Sequence, residues 1–153
     1  MAHILEEAAG LVDAGARELV LVGQDTAHYG ADRYGRRMLG TLLRKAAREF
    51  PETWIRVMYC HPSHLEDDVL EAMAEFPNVC PYLDIPIQHA HDEILRAMGR
   101  PDTRGKLRRS CRLANEATRS SCNNREHIPF VIILSEHQYS RLRELLAYPA
   151  CCL

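Results

Sequence analysis

No pair among the six cysteines (60, 80, 111, 122, 151 and 152) has Cys-x-x-Cys spacing, so a zinc-ribbon or dithiol redox motif is excluded. There is no excess of positive charge: the formal net charge is −2, too small for a global field that recruits nucleic acid. No apolar run approaches the length needed to span a membrane. The start, Met1-Ala-His-Ile-Leu-Glu-Glu, lacks the basic and apolar regions of a signal peptide. A cytoplasmic location with free thiols is the resulting expectation. What remains is 153 residues, 46% apolar and 26% charged, enough for one domain with a real core.

Three apolar runs end abruptly in polar side chains. Leu19-Val-Leu-Val-Gly leads into Gln24-Asp25, Trp54 to Tyr59 leads into Cys60-His61, and Tyr82 to Ile87 leads into Gln88-His89. Each reads as a strand with a functional tip. Helical periodicity fills the intervals. Residues 3–14 carry Ile4, Leu5, Ala8, Leu11 and Val12 on one face, with Gly15 as the stop. Residues 37–50 place Met38, Leu39, Leu42, Leu43 and Ala46 inward, closed off by Pro51. Ser63-His-Leu-Glu66 has the form of a capping box, opening a helix to Phe76 with Leu65, Val69, Leu70 and Met73 toward the sheet. A short helix spans 91–98 before Gly99, and another spans 103–119. Residues 24–36 read as a long loop, and Glu18 to Gly23 as a buried strand.

The order is α-β-α-β-α-β-α, which predicts an α/β fold with a parallel sheet and all three polar tips on one edge. Three or four β/α units cannot close a barrel. They leave sheet edges unpaired and one apolar face uncovered.

Several stretches together resemble one family. They are Val22-Gly-Gln-Asp-Thr26 with Tyr29-Gly30; Tyr59 with His61-Pro62; Cys80-Pro-Tyr-Leu-Asp-Ile-Pro-Ile-Gln-His-Ala90; and Ile94-Leu-Arg-Ala-Met-Gly-Arg-Pro101. The family is the radical-SAM methylthiotransferases, of the RimO type. The resemblance covers about residues 4–105 and implies a partial TIM-like barrel. It implies an enzyme that adds a methylthio group to an aspartate of a small-subunit ribosomal protein, using S-adenosylmethionine and 4Fe–4S clusters. Neither a membrane nor direct nucleic-acid binding by this segment is implied. The alternatives are the MiaB type, which modifies a tRNA adenosine, and a non-enzymatic α/β module that binds a protein partner.

The resemblance also assigns roles. Gln24 and Asp25 fall where the family contacts the methionine end of the cofactor; a turn-capping Asp is the plainer reading. Asp84, Gln88 and His89 fall on a cavity-lining strand tip. Asp84 could instead point outward and bond a neighbouring helix. The family's Cys-x3-Cys-x2-Cys loop is missing, so the chain is expected to be a fragment that is inactive alone. The expected organisation is a partial core over 1–106 and a divergent tail over 107–153. The Arg/Ser/Cys-rich stretch from Arg108 reads like a change of reading frame in GC-rich DNA.

Other features read more plainly. Cys60, His61, His89 and His91 could gather into a zinc or iron site, but His61 before Pro62 equally shapes a turn, and no metal ligand is assigned. No nucleophile motif accompanies His61 or His89, which weakens a hydrolase reading. Arg104, Lys106, Arg108, Arg109 and Arg112 read as a solvated helix face rather than an RNA contact. Phe130-Val-Ile-Ile-Leu134 has strand character and 136–147 helical character.

Overall fold

Helix α1 (Ala2–Asp13) ends in a turn that requires glycine. Gly15 sits at φ +97°, its N–H bonds the Val12 carbonyl at 2.9 Å, and the Ala16 N–H bonds that of Leu11 at 3.0 Å. This is a Schellman closure, and it delivers the chain into β1 (Glu18–Leu21). The computed structural model describes residues 1–121, with side chains through Leu113. The strand and helix expected near 130–147 lie outside these residues, as do Cys122, Cys151 and Cys152.

After β1 come a single 3-10 turn (Thr26–His28), the short helix α2 (Ala31–Tyr34) and helix α3 (Leu39–Glu49). Then follow β2 (Trp54–Val57), α4 (Asp67–Glu75), β3 (Val79–Leu83), α5 (Asp92–Ala97) and α6 (Arg104–Ser121). The strands form an open parallel sheet in the order β1-β2-β3, with Leu19 opposite Ile55 and Leu21 opposite Val57. The α/β, unclosed three-strand architecture is the one expected.

One face of the sheet is covered. Leu19, Ile55, Val57, Val79 and Leu83 join Leu39, Leu43, Ala46, Val69, Leu70 and Met73 in one core. Helix α6 adds Leu107 and Cys111 to it and packs on α4 and β3. Helices α3 and α4 touch closely. A Cβ on Gly40 would stand 2.8 Å from the Asp68 carbonyl oxygen. Asn78 ties the layer together, its side-chain amide donating to the carbonyls of Ala47 and Phe50 at the end of α3.

The structure departs from the periodicity in five places. Residues 24–36 are not simply loop, because the 3-10 turn and α2 are folded within them. Strand β1 is not buried throughout; it alternates, since a sheet covered on one face exposes every second residue. Leu11 is exposed, because α1 packs through a narrow stripe of Leu5, Ala8, Ala9 and Val12. The Ser63–Glu66 capping box does not form. Ser63 Oγ donates to the carboxylate of Asp102, and α4 starts at Asp67 without a side-chain cap. Strand β3 begins at Val79, earlier than Tyr82, and ends at Leu83. Pro81 has no N–H to offer, and the register shifts between Ile55 and Val57.

Candidate functional site

The tips of β1, β2 and β3 converge as expected, and β2 is the hub. From the β1 side, Asp25 Oδ1 accepts the His61 backbone N–H at 3.2 Å. The Thr26 hydroxyl donates to the Met58 carbonyl at 2.6 Å, and the Thr26 N–H donates to the Tyr59 carbonyl. From the β3 side, Asp84 Oδ2 accepts the Tyr59 N–H at 3.2 Å, and the Asp84 carbonyl accepts the Cys60 N–H at 2.9 Å. Tyr59 adopts φ +58°, a left-handed conformation uncommon for a side chain of its size. Two carboxylates from different strands therefore grip one short segment, Tyr59–His61.

Asp25 is half-buried. Burial pushes its carboxyl up, but hydrogen bonds from His64 and the His61 N–H outweigh that and hold it below the usual carboxylate value. Its Oδ2 lies 2.5 Å from His64 Nδ1. Asp84 is fully buried, and Oδ1 has no hydrogen-bond partner among the described residues. The outward reading of Asp84, bonded to a helix, is thus corrected: its partner is strand-tip backbone. An unpaired, buried carboxylate oxygen is costly unless a donor meets it.

Gln24 is exposed at the β1 tip. Gln88 is exposed at φ +67°. His89 is half-buried, and its Nδ1 accepts the His91 N–H at 3.0 Å. Among the described residues no hydrogen bond or ion pair joins Gln88 or His89 to Asp25 or Asp84. The β3 tip therefore contributes Asp84 directly and the other two from the turn beyond.

The four residues considered for a metal are engaged elsewhere. The Cys60 thiol contacts Thr26 Oγ1 at 3.3 Å, His61 Nδ1 accepts the Ser63 N–H, and His89 and His91 each accept a backbone N–H two residues on. A second set, not anticipated, stands close by. The His64 ring lies between those of His28 and His61, tilted to both, with centroid separations of 4.7 and 4.8 Å. Asp102 is buried, with Oδ2 3.8 Å from His61 Nε2 and 3.7 Å from Arg100 Nε. Arg100 in turn donates to the Pro86 and Ile87 carbonyls at 2.7 and 2.9 Å. Burial holds the His61 imidazolium form down, and the pull of Asp102 offsets this only in part. The spacings Asp25-x-x-His28 and His61-x-x-His64 were the available signal.

Iron–sulfur clusters are held by thiolates. Cys60, Cys80 and Cys111 are buried, and burial pushes the Cys60 and Cys111 thiols up to about 11. The three thiols are spread over a strand tip, a strand and a helix.

Residues 1–133 match the Radical SAM superfamily. The chain is 42% identical over 144 residues to "Ribosomal protein uS12 methylthiotransferase RimO" of Heliobacterium modesticaldum, covering 94% of this chain and 31% of that protein. It is 52% identical over 98 residues to the protein of the same name in Parasynechococcus marenigrum, covering 64% of this chain and 21% of that one. The counterpart in Thermosynechococcus vestitus is 49% identical over 98 residues, with 64% and 22% covered. The chain thus spans less than a third of the length of these relatives. With residues 1–133 matched, the chain belongs to the Radical SAM superfamily.

Proposed function

We propose that this chain is part of a methylthiotransferase that adds a methylthio group to an aspartate of ribosomal protein uS12. The convergence of the β1 and β3 carboxylates on the β2 tip carries this reading, together with the likeness to proteins bearing that name. S-adenosylmethionine, when bound with its iron–sulfur cluster, supplies the radical chemistry. Gln24 and Asp25 serve its methionine end. Asp84 offers its unpaired oxygen, and Gln88 and His89 line the cavity from the turn beyond β3. Asp25 also positions the β2 tip, since both its oxygens are engaged.

The six cysteines lack the family's Cys-x3-Cys-x2-Cys spacing, so the cluster ligands come from outside them, and the chain alone generates no radical. Residues 1–106 carry the motifs that point to the family and form its core, although the family match itself runs on to residue 133. Such an enzyme works in the cytoplasm. Among the described residues, no helix is long and apolar enough to cross a membrane.

The test is a chimera in which the matched segment of the Heliobacterium protein is replaced by this chain's. Mass spectrometry of uS12 should show the methylthio group. Methylthio on tRNA adenosine with unmodified uS12 would overturn the assignment. The chain alone, supplied with iron and sulfide, should show neither a 4Fe–4S absorbance band nor 5′-deoxyadenosine.

A further inference from the structure

Asp25, His28 and His64 meet where the loops after β1 and β2 touch. One ligand atom from each, a carboxylate oxygen and two imidazole nitrogens, lies within 4.8 Å of the other two. We propose that these three residues form a site for a divalent first-row transition ion, Zn²⁺ being the ion used to probe it, with at least one coordination position open to solvent.

The donor set carries the inference. Two imidazoles and one carboxylate suit Zn²⁺, Fe²⁺, Co²⁺ or Ni²⁺ better than Ca²⁺ or Mg²⁺, which take oxygen ligands. The carboxylate is already oriented. Oδ1 is fixed by the His61 N–H, which leaves Oδ2 facing His64 Nδ1 at 2.5 Å. An ion bound by both would replace that hydrogen bond, the two atoms moving apart to roughly 3 Å, and its proton would be released. His61 lies outside the ligand set, holding Asp25 through its backbone, with its ring tilted against that of His64 at 4.8 Å. This is the supporting shell that metal sites depend on. Exposure fits as well: His28 is exposed and the other two are half-buried, so an ion can enter. The inference does not rest on the methylthiotransferase assignment, but it competes with the role proposed above for Asp25. An ion at Asp25 and a ligand ammonium on the same carboxylate would exclude one another.

The experiment uses the full 153-residue chain, stripped with chelator and titrated with Co²⁺, then with Zn²⁺ against a chromophoric chelator. One equivalent should bind. The cobalt spectrum should show ligand-field bands without thiolate charge transfer, which separates the site from adventitious binding by the cysteines. His28→Ala should weaken binding by at least about tenfold. It should leave the circular dichroism unchanged, since His28 is exposed. His64→Gln should weaken binding similarly, and His91→Ala should not. No binding at equimolar metal, a thiolate charge-transfer band, or unaltered affinity in His28→Ala would each overturn the proposal.

Discussion

The two faces of the sheet are built on different principles. Toward the helices, Leu19, Ile55, Val57, Val79 and Leu83 are all buried, three of them completely. Toward the other side, Val20 is 48% exposed and Trp54 38%. There Arg56 pairs with Glu18 at 2.5 Å and lies 4.9 Å from the centre of the Tyr82 ring. Register forces this division, because Val20 stands opposite Arg56 while Leu19 stands opposite Ile55. Burial stabilises the fold from one side only. The open side is where the sheet can afford charge and rings.

The comparison is broken most directly by matched truncations on the two faces. Ile55→Ala should cost about 2–5 kcal/mol, because it empties a fully buried site. Val20→Ala, one strand over on the open face, should stay within about 0.5 kcal/mol. Urea unfolding of the two variants gives both numbers. Similar costs would mean that the open face is packed in solution. Gly40→Ala comes next. Its new Cβ would meet the Asp68 carbonyl, forcing α3 and α4 apart, at about 1–3 kcal/mol. A neutral result would show that this layer slides freely.

Much of the covered layer was legible in the sequence. The 3.6-residue spacing of Leu39, Leu42, Leu43 and Ala46 is a local signal, and Gly15 marks its turn locally too. The strand tips were legible because polar residues end each apolar run. Three things were not. Ser63 looked like a helix cap, but its partner is Asp102, and no local rule weighs a cap against a buried carboxylate 39 residues away. The start of β3 was hidden by Pro81, which reads as a breaker and is tolerated where the register shifts. The Asp25–His28–His64 grouping depends on two loops meeting in space. Asp25 and His28 are visible as an i,i+3 pair, but their meeting with His64 is a property of the fold.

Smaller in effect is Arg56→Met on the open face. The Glu18–Arg56 pair is partly exposed, so its loss should cost less than about 1 kcal/mol, and added salt should shrink the difference further. A loss comparable with Ile55→Ala would show that the pair is shielded, which again would require something covering that face.

The smallest effect on stability near neutral pH concerns Cys111, on α6. Burial raises its thiol to about 11, whereas an unfolded cysteine titrates near about 8.5. The folded state therefore holds its proton where the unfolded state has released it. The stability this contributes is fully present below about pH 8.5, and is lost as pH rises through that window toward about 11. Replacement by serine should flatten that alkaline slope while leaving the neutral value little changed beyond the packing loss. The same burial predicts chemistry. With native protein at neutral pH, peptide mapping after brief maleimide treatment should find Cys60, Cys80 and Cys111 unlabelled, and labelled once urea is added. Rapid labelling of Cys111 with Cys60 still protected would show α6 detaching from β3 while the rest of the covered face stays closed. That would confine the one-sided core to α3, α4 and the sheet.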